Sequence, residues 1–268
     1  MHDFNYKAFE ELEKTIRNCA RLAADAQKDI RRFYKEDGSV LTQTDLKISS
    51  IVEEAVTGLF PSSSFVCEES PVIRKDSEDY IFVLDPVDGT DVYSQGLPSF
   101  AVALGILDCR RKPVGAIIAA PRFGVGREDL FLSLAPGRDL HMDGEEFHAG
   151  TSKDKIEQVT LGSKELEKLD FSRFDGKVRI FGSSILHIIA PVVVSSIQGC
   201  INQPSYVWDI AASHAVLLSQ GMDISYFSGR KFEYTDEFLF EKKKYSEDIY
   251  CGTPEGIENL KKLLPLRA

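Results

Sequence analysis

The sequence contains no apolar stretch long enough to cross a membrane. Its longest candidate, residues 185–194, is interrupted by His187 and Pro191, whereas a membrane-spanning helix needs about 20 consecutive apolar residues. The first residues are polar and do not combine a basic stretch with an apolar one, so they do not resemble a signal peptide. We therefore expect a cytoplasmic protein with no membrane partner.

Cysteine pairs with disulfide or zinc-site spacing are also absent. The chain has five cysteines, at positions 19, 67, 109, 200 and 251, and no two of them form a C-x-x-C pair. An odd number of widely separated cysteines favours free thiols in a reducing compartment over a disulfide framework.

The sequence has fewer basic than acidic residues. The 268 residues include 32 Lys and Arg against 42 Asp and Glu, which gives a net charge of −10. A surface of this charge repels phosphate backbones, so nucleic-acid polymers are not expected partners. A small anionic substrate is still compatible with this charge, because bound metal ions can reverse its sign locally. The 43% hydrophobic content is that of an ordinary globular protein.

The hydrophobic pattern changes along the chain. Helical spacing predicts helices over residues 4–33 and 46–60, followed by strands over 64–67, 80–84, 100–107, 114–119 and 130–134. In the second half, strands (159–162, 178–181, 224–227, 249–251) alternate with helices (184–197, 210–220, 255–264). This alternation implies layered α/β packing. A polar stretch at 150–155 suggests a division into parts 1–152 and 153–268.

Carboxylates concentrate in four short segments, of which residues 85–90 (D-P-V-D-G-T) are the most informative. Asp85 follows five apolar or aromatic residues, and Asp88 stands three residues further on. Two unpaired carboxylates so close together would repel each other, and a bound divalent cation removes that conflict. All-oxygen ligands point to Mg²⁺ or Mn²⁺. Taken singly, Asp45 or Asp209 is better explained as a surface acid or a helix cap than as a metal ligand.

The motifs together resemble those of a known family. Residues 68–70 (E-E-S), 85–90 and 208–212 (W-D-I-A-A) resemble the three signature motifs of the inositol monophosphatase family, and residues 42–45 (T-Q-T-D) resemble its upstream element. The resemblance extends from about residue 40 to about residue 230. It implies an α/β fold with α+β-type layers, a five-layer αβαβα sandwich, and a homodimer. It also implies a Mg²⁺ cofactor, with Mn²⁺ as a substitute and Li⁺ as an inhibitor.

The same resemblance assigns roles to residues at the matching positions. The implied metal ligands are Glu68, Asp85, Val87 (through its carbonyl), Asp88 and Asp209. The implied catalytic residues, which orient the attacking water, are Asp45, Glu68 and Thr90. The implied substrate-binding residues are Gly89, Thr90, Asp91, Gly182, Ser183, Asn202 and Asp209. Behind them, Glu69 and Trp208 are expected to support the ligands.

Three positions depart from the family pattern. Cys67 stands where the family usually has glycine, and Asp91 places a carboxylate that would repel phosphate unless it turns away or reaches a metal. Asn202 replaces a glutamate that contacts substrate hydroxyls in inositol phosphatases. The resemblance implies phosphomonoester hydrolysis of a small phosphorylated polyol or sugar, with inositol monophosphate as the default, and the departures leave the substrate open. The alternatives are a 3′(2′),5′-bisphosphate nucleotidase, a fructose-1,6-bisphosphatase, or a catalytically idle metal-binding relative that acts through partners.

Overall fold

The computed structural model describes residues 4–76, 79–124, 126, 128–150 and 155–267. The helices are α1 (Tyr6–Ala26), α2 (Gln43–Leu59), α3 (Thr90–Ser94), α4 (Glu165–Lys168), α5 (Ser184–Val193), α6 (Ala211–Ser219), α7 (Asp236–Leu239) and α8 (Pro254–Leu263), with 3₁₀ turns at Gln27–Asp29 and Val207–Asp209. The strands are β1 (Arg32–Tyr34), β2 (Val40–Thr42), β3 (Ser64–Cys67), β4 (Tyr80–Asp88), β5 (Ala101–Asp108), β6 (Pro113–Ala120), β7 (Leu130–Leu134), β8 (His141–Met142), β9 (Glu145–Glu146), β10 (Gln158–Leu161), β11 (Lys177–Arg179), β12 (Gly199–Asn202), β13 (Asp223–Tyr226) and β14 (Ile249–Gly252).

A large sheet forms the frame of the N-terminal half. Within the described residues it has seven strands in the order β3-β4-β5-β6-β7-β8-β9. Only the β3–β4 pair is parallel in this part of the chain, and the other pairs are antiparallel. Helices α1 and α2 cover one face, where Leu12, Ile16 and Val52 pack with Phe82 and Leu104 of the sheet.

Helices α5 and α6 form a middle layer against the other face. Val83 and Ile118 of the large sheet share a buried cluster with Ile188 of α5. At Gly105 of β5, a Cβ atom would lie only 2.6 Å from the backbone nitrogen of Ala212. The glycine therefore lets α6 press directly onto the sheet, which fixes the helix that follows Asp209.

A smaller sheet and its outer helix complete the layers. Among the described residues, its five strands run β11-β10-β12-β14-β13, with parallel pairing around β10 and antiparallel pairing on both sides of β14. On its outer face, Ile257 and Leu260 of α8 pack with Val159, Leu161 and Tyr250. The order helix, sheet, helix, sheet, helix confirms the predicted αβαβα sandwich.

Several predicted boundaries were wrong. The first helix ends at Ala26 rather than near Phe33, because a 3₁₀ turn intervenes and Phe33 lies in β1 with 45% of its surface exposed. The helix predicted over 184–197 ends at Val193, and the strand β12 that follows was not predicted. Helix α2 begins three residues earlier than predicted, because Thr42 and Asp45 form a capping box at its start.

The proposed division into 1–152 and 153–268 stays a prediction, since residues 151–154 lie outside the described part of the chain. Of the helices in the described ranges, none is both long and apolar enough to cross a bilayer.

Candidate active site

Asp85 and Asp88 lie in the last part of β4. The pairing of β4 with β5 is regular up to Asp85 opposite Ala103 and then shifts before Asp88 opposite Ala101. Such an irregularity re-aims side chains at the end of a strand. The Val87 backbone nitrogen donates a hydrogen bond to Asp85 Oδ1 (3.1 Å). Both carboxylates are buried, with 2% and 4% of the residue surface exposed.

Asp209 completes a group of three carboxylates. It ends the 3₁₀ turn before α6, and its Oδ2 accepts a hydrogen bond from the Tyr206 backbone nitrogen (2.9 Å). One carboxylate oxygen each of Asp85, Asp88 and Asp209 lies within 4.8 Å of the others. Burial, together with the neighbouring acids, raises the pKa of Asp88 to about 6, that of Asp209 to about 7, and that of Asp85 well above its ordinary value. A desolvated set of carboxylate oxygens like this fits a hard divalent cation such as Mg²⁺.

Glu68 and Glu69 lie directly after β3, whose parallel pairing with β4 brings them beside Asp85. The Lys35 ammonium lies 2.7 Å from Glu68 Oε1 and also forms an ion pair with Glu69. Burial raises the pKa of Glu68 to about 8 even though the Lys35 charge acts to lower it. Glu68 borders the cavity described below, whereas Glu69 is not among its lining residues.

Asp45 is both a helix cap and the partner of Thr90. Its Oδ2 accepts hydrogen bonds from the backbone nitrogen (2.9 Å) and the hydroxyl of Thr42. Its Oδ1 lies 3.3 Å from the Thr90 hydroxyl, which is also 2.8 Å from the Val87 carbonyl oxygen. Burial raises the pKa of Asp45 to about 6. Asp45, with a pKa of about 6, therefore lies within hydrogen-bonding distance of the Thr90 hydroxyl at the cavity wall.

The Gly182–Ser183 turn supports the metal-ligand candidates from α5. Asp88 accepts hydrogen bonds from the Ser183 hydroxyl and from the backbone nitrogens of Ser184 (3.1 Å) and Ile185 (2.9 Å). Gly89 has a φ of +82°, and a Cβ there would lie 3.1 Å from the carbonyl oxygen of Gly182. Ser183 and Gly182 thus contact Asp88 and Gly89 and do not line the cavity themselves.

A cavity of about 410 Å³ opens above the carboxylates. The predicted site residues that it brings together are Glu68, Asp85, Val87, Asp88, Gly89, Thr90, Trp208 and Asp209. The lining residues that sequence reasoning missed are Lys35, Asp37, Ser39, Tyr206, Lys242 and Lys244. A larger cavity of about 590 Å³, which Arg111 and Tyr234 help to line, contains none of the metal-ligand candidates.

Besides Gly182 and Ser183, two further predicted substrate-binding residues lie outside this lining. The Asp91 carboxylate accepts a hydrogen bond from Gln95 Nε2 (3.0 Å) on the exposed side of α3. Asn202 is buried, and its Nδ2 donates to the Tyr245 hydroxyl (3.3 Å). The Asp91 carboxylate therefore faces Gln95 and not the cavity.

A run of three lysines such as 242–244 suggests a solvated surface, but two of these lysines line the cavity. Lys243 is exposed and pairs with Glu237 and Glu241, as expected of a surface run. Lys242 is half-buried and donates to the carbonyl oxygens of Glu68 (3.3 Å) and Ser70 (2.8 Å). No motif in the sequence marks these lysines, because their place in the site depends on packing between distant segments.

Comparison with known proteins agrees with this geometry. The model of the inositol monophosphatase family matches residues 4–253. The chain belongs to this family. Its members are phosphatases that hydrolyse phosphoric monoesters, which confirms the predicted enzyme class.

The curated relatives cover different activities within the family. The chain is 26% identical over 247 residues to the chloroplastic phosphatase IMPL1 of Arabidopsis thaliana, covering 85% of this chain and 64% of that protein. It is 23% identical to the 3′(2′),5′-bisphosphate nucleotidase CysQ of Shigella flexneri (84% of this chain, 92% of the relative). It is also 23% identical to the fructose-1,6-bisphosphatase/inositol-1-monophosphatase of Thermotoga maritima (82% and 85%). At these identities the relatives do not single out one substrate.

Solved structures share the fold. A staphylococcal inositol monophosphatase-1, soaked in LiCl as an inhibitory complex, superposes with a TM-score of 0.78 at 15% identity, covering 97% of this chain and 96% of that one. An IMPase/NADP phosphatase complexed with Mg²⁺ and phosphate superposes with a TM-score of 0.76 at 14% identity, covering 95% of each chain.

Proposed function

We propose that the protein is a Mg²⁺-dependent phosphomonoesterase that acts on a small phosphorylated polyol or sugar, with inositol monophosphate as the reference substrate. The observation that carries the proposal is the convergence of Asp85, Asp88 and Asp209 oxygens within 4.8 Å beneath a cavity of small-molecule size. The phosphatase activities of the named relatives support it, as does the Mg²⁺ and phosphate complex of a protein with the same fold.

The residues that would hold Mg²⁺ are the oxygen donors at the cavity floor: Glu68, Asp85, the Val87 carbonyl, Asp88 and Asp209. When bound there, Mg²⁺ lowers the pKa of a coordinated water and stabilises charge on the phosphoryl oxygens. Uncatalysed hydrolysis of phosphate monoesters is so slow that such help is needed.

Thr90 and Asp45 would handle the proton of the attacking water. The Thr90 hydroxyl has one proton and two acceptors in reach, the Asp45 carboxylate and the Val87 carbonyl. When that proton points to Asp45, the hydroxyl oxygen can accept from a water in the cavity. With a pKa of about 6, Asp45 is mainly ionised at pH 7 and can take up a proton during the reaction.

Four accompanying proposals carry over from the family resemblance and the composition of the sequence. Mn²⁺ would substitute for Mg²⁺, Li⁺ would inhibit, and the protein would act as a cytoplasmic homodimer. The lithium expectation is supported by the inhibitory complex of the staphylococcal protein with the same fold.

The test is phosphate release from a substrate panel with MgCl₂ or with EDTA. The panel holds inositol 1-phosphate, fructose 1,6-bisphosphate, 3′-phosphoadenosine 5′-phosphate and several sugar monophosphates. We expect Mg²⁺-dependent release from at least one member. The variant Asp85→Asn should abolish that release. The matched control is Asp170→Asn, a partly exposed acid outside the cavity lining whose carboxylate bonds to Ser172, and it should retain the release.

A folded protein that binds Mg²⁺ but releases no phosphate from any member would contradict the proposal. It would favour the catalytically idle relative.

A further inference from the structure

The metal-ligand candidate Asp88 is oriented by a single turn. Within the described part of the chain, its carboxylate accepts three hydrogen bonds, and all of them come from the start of α5. The donors are the Ser183 hydroxyl and the backbone nitrogens of Ser184 and Ile185, and both carboxylate oxygens take part. The direction of the Asp88 carboxylate therefore depends on where this turn lies.

The same turn is fastened by a side chain from further along α5. Strand β11 ends at Arg179, and the backbone between it and α5 belongs to no strand or helix. In this interval the Phe181 backbone nitrogen donates a hydrogen bond to Nε2 of His187 (2.7 Å). His187 lies within α5, and only 3% of its surface is exposed. The helix thus holds the chain directly before the Gly182–Ser183 turn.

Ring packing reinforces this contact. The His187 and Phe181 rings are stacked, with centroids 5.5 Å apart and planes at 29°, and the Phe123 ring packs edge-on against Phe181 at 5.1 Å. Burial lowers the pKa of His187 to about 4, so its ring is uncharged at neutral pH. An uncharged imidazole has one unprotonated nitrogen, and the Phe181 N–H group identifies it as Nε2. Phe181 is therefore held through both its backbone and its ring.

A second buried hydrogen bond of His187 leads away from the metal site. Pro191 has no N–H group and cannot donate to the His187 carbonyl oxygen, as the helical pattern would require. The Thr160 hydroxyl of β10 donates to this oxygen instead (2.7 Å). This bond attaches α5 to the smaller sheet and does not involve the Gly182–Ser183 turn. It therefore offers an internal comparison for the bond from Phe181.

We propose that His187 is a positioning residue for the metal site, which raises the Mg²⁺ affinity of the protein without contacting the metal or the substrate. It acts through the Phe181 N–H group, which sets the Gly182–Ser183 turn and thereby the donors to Asp88. Groups that orient metal ligands from behind strengthen metal binding in this way. Without an acceptor on His187, the Phe181 N–H group loses its partner, and the turn is free to move to a position where that group finds another. The inference rests on the proposed function only through Mg²⁺ binding.

Three variants separate the hydrogen bond from the ring and from stability. His187→Phe keeps a ring against Phe181 but has no acceptor, whereas His187→Gln carries an amide oxygen as many bonds from the backbone as Nε2 and has no ring. Thr160→Val is the matched control, because it removes an equally buried hydrogen bond from the same helix.

Three quantities are measured for each variant and for the wild type. Isothermal titration calorimetry gives the Mg²⁺ Kd, urea unfolding in EDTA gives the stability, and phosphate release at increasing MgCl₂ gives kcat and KM on the best substrate of the panel. If His187→Phe does not fold, His187→Leu takes its place, because it is smaller and also lacks an acceptor.

We expect His187→Phe to raise the Mg²⁺ Kd about 10- to 100-fold. Its kcat should recover in excess MgCl₂, with a KM for substrate close to that of the wild type. His187→Gln should bind Mg²⁺ nearly as well as the wild type. Thr160→Val should lose stability and keep the wild-type Mg²⁺ Kd. A residue that only packs the core would not separate metal affinity from stability in this way.

Three results would overturn the inference alone. They are an unchanged Mg²⁺ Kd in His187→Phe, an equal rise of the Kd in Thr160→Val, and a His187→Gln variant that binds Mg²⁺ as weakly as His187→Phe. A wild type that does not bind Mg²⁺ would refute the proposed function and the inference together. Mg²⁺ binding without phosphate release would refute the proposed function only, because calorimetry still tests the role of His187.

Discussion

The stability of the metal-free protein should fall as the pH rises, and Mg²⁺ should reverse that fall. The pKa values of Asp88, Asp209 and Glu68 are raised from 3.8, 3.8 and 4.5 to about 6, 7 and 8. Between about pH 4 and pH 8 the folded chain therefore retains protons that the unfolded chain has lost. The unfolding free energy must decrease with pH across this window.

The expected size follows from one fully buried group. Each retained proton lowers the unfolding free energy by about 1.4 kcal/mol per pH unit. For Asp88, whose pKa rises by about two units, the loss is on the order of 3 kcal/mol once the pH exceeds 6. This is a large part of the ~5–15 kcal/mol by which domains are usually stable. Metal ligands must be ionised, so the stabilisation by Mg²⁺ should increase over the same range.

The assay is urea unfolding at about pH 5, 6.5 and 8, in EDTA and in excess MgCl₂. We expect the unfolding free energies in EDTA and in MgCl₂ to be equal at the lowest pH. At the highest pH they should differ by about 2.7 kcal/mol if Mg²⁺ is present at 100 times its Kd. Asp85→Asn, which removes one of the mutually repelling acids, should flatten the metal-free pH dependence. Metal-free stability that is level or rising between pH 5 and 8, with a pH-independent effect of Mg²⁺, would refute the reasoning.

Three further substitutions test individual roles. Asp45→Asn should lower kcat at saturating Mg²⁺ about 10²- to 10⁴-fold, because the amide cannot take the proton relayed by Thr90; a loss under tenfold would leave Asp45 as a helix cap only. Asp91→Thr should keep or raise kcat/KM, since the carboxylate faces Gln95 rather than the cavity; a tenfold loss would return Asp91 to the site. Gly182→Ala should lower the urea-unfolding free energy by about 1–3 kcal/mol, because the φ of Gly182 is +82° and the new Cβ would lie 2.5 Å from the Val92 side chain of α3. An unchanged unfolding midpoint would argue against strain in this turn.

Much of the carboxylate cluster could be predicted from local sequence. Asp85 and Asp88 follow an apolar strand, and the proline and glycine around them indicate a turn at its end. Strand alternation and helical spacing also indicated layered α/β packing, whereas the five-layer order followed from the family resemblance. These signals are local. The family resemblance added Asp209, and the structure brings this acid from a distant segment to within 4.8 Å of Asp85 and Asp88.

The positive side of the cavity could not be predicted in this way. The predicted first helix extended to residue 33, which placed Lys35 just beyond its end. In the structure the helix ends at Ala26, and Lys35, in the loop after β1, forms an ion pair with Glu68. Lys244 reaches it because Asp236 pairs with arginines more than 100 residues away in the sequence. Neither contact leaves a periodic pattern, so a charge run read alone looks like a solvated surface.

Asp88 shows how the protein tolerates its acidic cavity floor without a metal. Its carboxylate accepts one hydroxyl and two backbone N–H groups at the start of α5, where the helix dipole favours negative charge. Within the described part of the chain, the Asp209 carboxylate accepts a hydrogen bond from one backbone N–H group, that of Tyr206, and burial raises the pKa of Asp209 further, to about 7. The donors at the start of α5 therefore stabilise the ionised form of Asp88 in the absence of a metal. Because α5 supplies these donors, the ligand set depends on the packing of the middle helical layer against the end of β4.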